Sequence, residues 1–179
     1  VVVPVYAILS GGFALIDPPR ANLAFGTWLS LLPLALALLF VQIAAEELFF
    51  RGYLQQQLAA RFAGRWIWMY LPAALFALLH WNPAAGPNLP LVLLAAFTFG
   101  LVAADLTERT GSLGAAMGLH FGNNVFGLLL VATADTITGL SLFVSDTPVG
   151  EAGPQSLGMA LAILVMLGVW ALIARLLER

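Results

Sequence analysis

The sequence predicts an all-α fold, a polytopic helical membrane bundle of about six transmembrane helices, and three observations carry that prediction. Charged residues make up only 9% of the 179 residues, against the roughly 25% with which a soluble domain covers its surface. Hydrophobic residues make up 61%, and the mean hydropathy is +0.97. The apolar residues also gather into runs of about 18 or more, the length that crosses a hydrocarbon core at ~1.5 Å per helical residue. Seven arginines, nine acids and no lysine leave too little polar surface for a water-facing globule, so the solvent is lipid. The same composition excludes whole classes of function. A net charge of −2 with no basic run gives no footprint for nucleic acid. The absence of cysteine removes disulfides, thiol nucleophiles, iron–sulfur clusters and cysteine-ligated zinc.

Residues 1–16 form a short apolar run, closed by the helix stop and turn Asp17-Pro18-Pro19-Arg20. With no initial Met and no basic leader, this reads as a truncated or processed first span and not as an intact signal peptide. The second helix starts near Trp28, or at Pro33 if that proline opens it, passes Phe50 and continues through the amphipathic Tyr53-Leu54-Gln55-Gln56-Gln57-Leu58. The third covers residues 66–81 and ends at a turn-rich stretch, Asn82-Pro83-Ala84-Ala85-Gly86-Pro87-Asn88. The fourth covers 89–106, and Gly111 breaks the chain before the fifth, 112–132. A loop of mixed polarity over 133–154 leads to the sixth, 156–177. There is no solenoid repeat and no low-complexity linker, so 1–179 reads as one membrane-embedded helical domain.

Arginines orient such a bundle, because they gather on the cytoplasmic side. Arg61, Arg65, Arg109, Arg175 and Arg179 all follow even-numbered helices, whereas Arg20 alone is opposite. Both termini are therefore expected in the cytoplasm. Gly114, Gly118 and Gly122 recur every four residues in the fifth helix, a ladder that predicts close packing against a neighbouring helix.

Ionisable side chains within a span cost a few kcal/mol each, so they are functional candidates. Glu46, Glu47, His80 and His120 are singled out on that ground. Arg51 lies four residues after Glu47, where an i,i+4 ion pair makes a structural clamp. Glu46 has no such partner on its own helix and suits a general base. Measured from Arg61, Arg65 and Arg109, the helical rise puts Glu46 and His80 about 22 Å and His120 about 16 Å into the membrane. Three polar groups on three helices thus reach similar depth. Asn124 shares the His120 face at i+4, Phe76 lies at i−4 from His80, and the glycine ladder is about 200° away from His120.

No cysteine and no nucleophile-elbow serine motif are present, so water is the better nucleophile. Glu46 could take its proton with His80 orienting it, while His120 and Asn124 donate to the developing oxyanion. Alternatively Glu46, His80 and His120 form a hydrolytic zinc set.

Three ordered segments carry a family resemblance. Glu46-Glu47-Leu48-Phe49-Phe50-Arg51 is similar to an E-E-x-x-x-R motif, Phe76-Ala77-Leu78-Leu79-His80 to F-x-x-x-H, and His120-Phe121-Gly122-Asn123-Asn124 to H-x-x-x-N. Together they resemble the CAAX prenyl endopeptidase and bacteriocin-processing (CPBP, Abi) family of intramembrane endopeptidases. The resemblance covers about residues 34–131, the motif-bearing core, in a chain shorter than the eight-helix members. It implies a protease-like bundle whose conical cavity opens to membrane and cytoplasm, with Glu46 and His80 activating water and His120 and Asn124 forming the oxyanion hole. Glu47, Arg51 and Phe76 would support that site. The family is often labelled a metalloprotease, yet the mechanism implied for its prenyl-protein members needs no metal, so no cofactor is expected, zinc being the alternative. The implied partners are a membrane-associated peptide or protein substrate and the lipid bilayer, without nucleic acid, in what reads as a bacterial inner membrane. A second function class is a non-catalytic membrane subunit or immunity protein that binds a peptide, lipid or protein partner. Trp28, Trp66, Trp68, Trp81 and Trp170 could dock such a partner, and association with a larger membrane complex is compatible with them.

Overall fold

A computed structural model describes residues 14, 15 and 17–177. The expected first span, 1–16, lies outside the described residues apart from Ala14 and Leu15. A short strand, β1 (Arg20–Ala21), precedes α1 (Phe25–Glu47). The helix passes through a π-helical stretch, Leu48–Leu54, into α2 (Gln55–Ala59), making one apolar rod of 35 residues. Then follow α3 (Arg65–Leu78), a 3-10 stretch (Pro83–Asn88), α4 (Leu89–Thr110) and α5 (Gly114–Asn124). A second π-helical stretch, Val125–Leu130, extends α5 and runs into β2 (Val131–Ala134), β3 (Phe143–Pro148) and α6 (Pro154–Leu177). Phe25–Ala59, Pro83–Thr110 and Pro154–Leu177 are long and apolar enough to cross a membrane, and α3 is a shorter apolar helix.

Packing explains the layout. Helix α4 is the hub, with α3, α5 and α6 around it. Their shared core includes Phe50, Phe76, Ala77, Phe99, Leu106 and Leu119. Gly100 permits the tight α3–α4 approach, since a Cβ there would meet Ala73 Cα at 2.8 Å. Helix α1 leans on α5, where Ala35, Leu39 and Ile43 meet Leu129. Much of its remaining surface is exposed leucine and phenylalanine, as a lipid-facing helix requires. Gly111 ends α4 in the left-handed conformation (φ 62°), so the sequence break falls where a side chain would be strained.

Several sequence expectations are corrected. Pro33 lies inside α1 and does not open it. Helix α3 ends at Leu78, which leaves His80 and Trp81 in the turn beyond it. The fifth helical run stops at Leu130 instead of 132 because Val131 and Ala132 pair with Phe143 and Val144. The loop over 133–154 therefore holds strand as well, in a three-stranded sheet of order β1-β3-β2, with β1 antiparallel and β2 parallel to β3. The glycine ladder is buried only at Gly122; Gly114 and Gly118 are exposed, and a Cβ at Gly118 would touch nothing. Asp105, inside the fourth run, was not among the singled-out ionisable groups. It gathers Arg65 (2.8 Å), Arg109 (2.7 Å) and the Trp170 indole (2.8 Å). These contacts bring the arginine-bearing ends of α3, α4 and α6 to one side. Asn88 ties the opposite end, donating to the Val149 and Glu151 carbonyls.

Candidate active site

The centre is built where α1 turns π-helical. Glu46 and Glu47 are adjacent residues about 100° apart around the helix, so one can be buried while the other borders an opening. Glu47 is fully buried at 0% exposure, whereas the Glu46 side chain keeps 31%. A π-helical segment inside an α-helix is uncommon and tends to mark function. Here it carries Arg51, itself 2% exposed, whose Nη1 lies 3.0 Å from Glu47 Oε1. Arg51 Nη2 donates to the Gly100 carbonyl at 3.3 Å. The guanidinium also lies 4.8 Å from the centre of the Phe76 ring and 5.5 Å from that of Phe99, so its charge has π-faces beside it.

His120 of α5 enters the same cluster. Its Nδ1 is 2.7 Å from Glu47 Oε1, and since a carboxylate only accepts, Nδ1 carries the proton. Its other nitrogen, Nε2, lies 3.8 Å from Glu46 Oε2. One imidazole therefore stands between the two glutamates. The second oxygen of Glu47, Oε2, is buried with no protein donor among the described residues. Glu46 Oε1 accepts from Gln42 one turn earlier, at 3.1 Å.

His80 is exposed and is fixed by the last turn of α3. Its Nδ1 donates to the Phe76 carbonyl at 2.9 Å, which leaves Nε2 as the basic nitrogen. The Phe76 ring contacts both imidazoles, at 4.7 Å from His80 and 5.9 Å from His120 between ring centres. Asn124, the last residue of α5, accepts at Oδ1 from Asn123 at 3.2 Å, so its NH2 is the donor end. The structure thus gathers Glu46, Glu47, Arg51, Phe76 and His120. No hydrogen bond joins Glu46 to His80 among the described residues. His120 lies beside Glu46, held there by its bond to Glu47. Among the described residues no group of three His, Asp or Glu side chains is arranged to hold a metal ion.

Two neighbours were missed by sequence reasoning. Gln42 carried a signal, being a polar residue at i−4 from Glu46 within an apolar run. Phe99, whose ring lies 4.6 Å from that of His120, carried none, because a phenylalanine in a span is ordinary.

A buried carboxylate–imidazole–guanidinium centre among membrane-length apolar helices defines a polytopic helical membrane protein with ionisable groups in its interior. The chain belongs to the Rce1-like family of type II CAAX prenyl endopeptidases, whose family model matches residues 28–126, just over half of it. It is accordingly an integral membrane protein of the CAAX-protease class. It is also 33% identical over 110 residues to "Uncharacterized protein YyaK" of Bacillus subtilis (strain 168). That match covers 61% of this chain and 37% of the relative's length, so this chain spans well under half of it. No solved structure matches the chain significantly.

Proposed function

We propose that this chain is an intramembrane endopeptidase that hydrolyses a membrane-associated peptide or protein with water activated by Glu46 and His80. The observation that carries the reading is the single imidazole of His120, bonded to Glu47 through Nδ1 and turned to Glu46 through Nε2. Glu46 takes a proton from water, and the basic Nε2 of His80 orients that water or shares the proton. The nucleophile adds to the scissile carbonyl. His120 in its imidazolium form donates from both nitrogens, Nδ1 to Glu47 and Nε2 to the oxyanion, with the Asn124 NH2 as second donor. Collapse of the tetrahedral adduct returns the proton to the leaving amine. Glu47 and Arg51 hold His120 in place and neutralise each other. Every step uses side chains alone. Residues 1–179 act as one domain in this reading, with the arginine-bearing ends of α3, α4 and α6 in the cytoplasm of a bacterial inner membrane.

The test compares membrane-peptide fragments from cells carrying the wild-type chain with those from cells carrying Glu46→Gln, followed by assay of the purified proteins on the fragments' precursors. Glu46→Gln, His80→Ala and His120→Ala should each lose nearly all turnover while remaining folded, because members of a cooperating unit are not additive. Wild-type turnover in Glu46→Gln would refute the peptidase reading. Full rescue of a deletion phenotype by that variant would instead favour a binding subunit.

A further inference from the structure

Below the catalytic cluster, Gln55 continues the buried face of Glu47 and Arg51 at intervals of four residues, at 5% exposure. Both Arg51 and Gln55 donate to carbonyls of α4, to Gly100 at 3.3 Å and to Ala104 at 3.1 Å. Both donate across to α4, but two acceptors on this face are left over. Gln55 Oε1 and Glu47 Oε2 are both buried without a protein donor among the described residues. A buried acceptor left unmade is strongly unfavourable, and water is the usual donor that satisfies one.

A cavity of about 400 Å³ adjoins this face. Gln55 and Gln56 line it together with Trp68, Thr107, Glu108 and Ser112. Neither Glu46, His80, His120 nor Asn124 does, so it is separate from the site described above. It lies at the arginine-bearing end of α3 and α4, since Glu108 on its wall pairs with Arg65.

We propose that this cavity is a hydrated vestibule and that Gln55 is a water-binding residue between it and the catalytic cluster, passing water from the aqueous side along the Glu47–Arg51–Gln55 face. The route rests on the peptidase reading, in which each turnover consumes one water inside a lipid-embedded site. Its chemistry suits water: the Gln55 carbonyl and the Thr107 and Ser112 hydroxyls offer neutral hydrogen-bonding groups to a small ligand.

Two measurements test it. The chain has no cysteine, so a single introduced thiol reports without background. Gln55→Cys in the full-length chain, reconstituted in liposomes, should react with a small water-soluble methanethiosulfonate, whereas Leu38→Cys, on the lipid-facing part of α1, should not. A folded Gln55→Cys protein that stays unreactive overturns the vestibule, and this result does not depend on catalysis. The second measurement is kinetic. Gln55→Leu should lower kcat about tenfold with KM unchanged, the scale of one lost hydrogen bond to water, and Gln55→Glu, which keeps the acceptor, should recover most of it. If the face is dry, Gln55→Leu leaves kcat unchanged, which overturns the route. Should the wild-type chain itself cleave nothing, the thiol result still decides the hydration, and the peptidase reading fails separately.

Discussion

Glu46 and Glu47 are chemically identical neighbours whose surroundings give them different tasks. Glu46 stays partly exposed and keeps one oxygen 3.8 Å from His120 Nε2. Glu47 is sealed in and bonded to both Arg51 and His120 through one oxygen. The sequence suggested only its ion pair with Arg51, so Glu47→Gln would have been expected to reduce folded yield and spare turnover. The His120 contact changes that expectation. Breaking a buried ion pair leaves a charge without its partner, at a cost of about 3–5 kcal/mol. The amide also no longer holds the His120 Nδ1–H as a carboxylate does, so Glu47→Gln should lower both the yield of folded protein and kcat of the folded fraction. Size-exclusion yield and turnover per folded molecule separate the two effects, and normal turnover would show that Glu47 is a clamp alone. Asn124→Ala should be milder, with a kcat loss on the order of 10²-fold if it supplies one of two oxyanion donors. Loss as complete as in His120→Ala would give Asn124 another role.

At the scale of elements, what the sequence could show was whatever repeats locally. The spans were legible in apolar runs, and Glu46, Glu47, Arg51, His80 and His120 stood out as polar residues in lipid. What depends on pairing between distant residues was not legible. Val131 and Ala132 read as the end of a helix because only Phe143 and Val144, twelve residues on, make them a strand. The π-helical character of Leu48–Leu54 has no periodicity of its own in so short a stretch. The glycines show the same limit. Gly114, Gly118 and Gly122 carried the repeat, yet the tight crossing is at the solitary Gly100, because Ala73 of α3 faces it. Gly100→Ala must therefore force α3 from α4 by its backbone, which overpacking data put at about 1–3 kcal/mol, or roughly 2–12 °C in the unfolding midpoint. Gly118→Ala should be neutral or stabilising, since its Cβ meets nothing and alanine is the better helix former. Thermal unfolding of both variants in the same detergent checks the contrast, and equal midpoints would remove Gly100 as the packing point.

For the whole molecule, the two ends of the bundle differ in chemistry, and that difference predicts an orientation in the bilayer. At one end Asp105 draws together Arg65, Arg109 and Trp170, with Glu108 also paired to Arg65. At the other, the sheet carries the Arg20–Asp146 pair, and the Asn22 amide donates to the Thr138 and Ser141 carbonyls. Positive charge thus accumulates at the first end, with Arg61 nearby in sequence and Arg175 in the last turn of α6. Arginine-rich short loops stay on the cytoplasmic side during insertion. Because the chain is free of cysteine, one thiol at each end reads the topology directly. Ala63 and Gly139 are exposed on opposite sides, the first between α2 and α3 and the second between β2 and β3. In spheroplasts a membrane-impermeant maleimide should label Gly139→Cys at once and Ala63→Cys only after lysis. The reverse pattern would invert the molecule. It would also turn the cavity beside Gln55 to the opposite face of the membrane, so that any water entering through it would come from the other side.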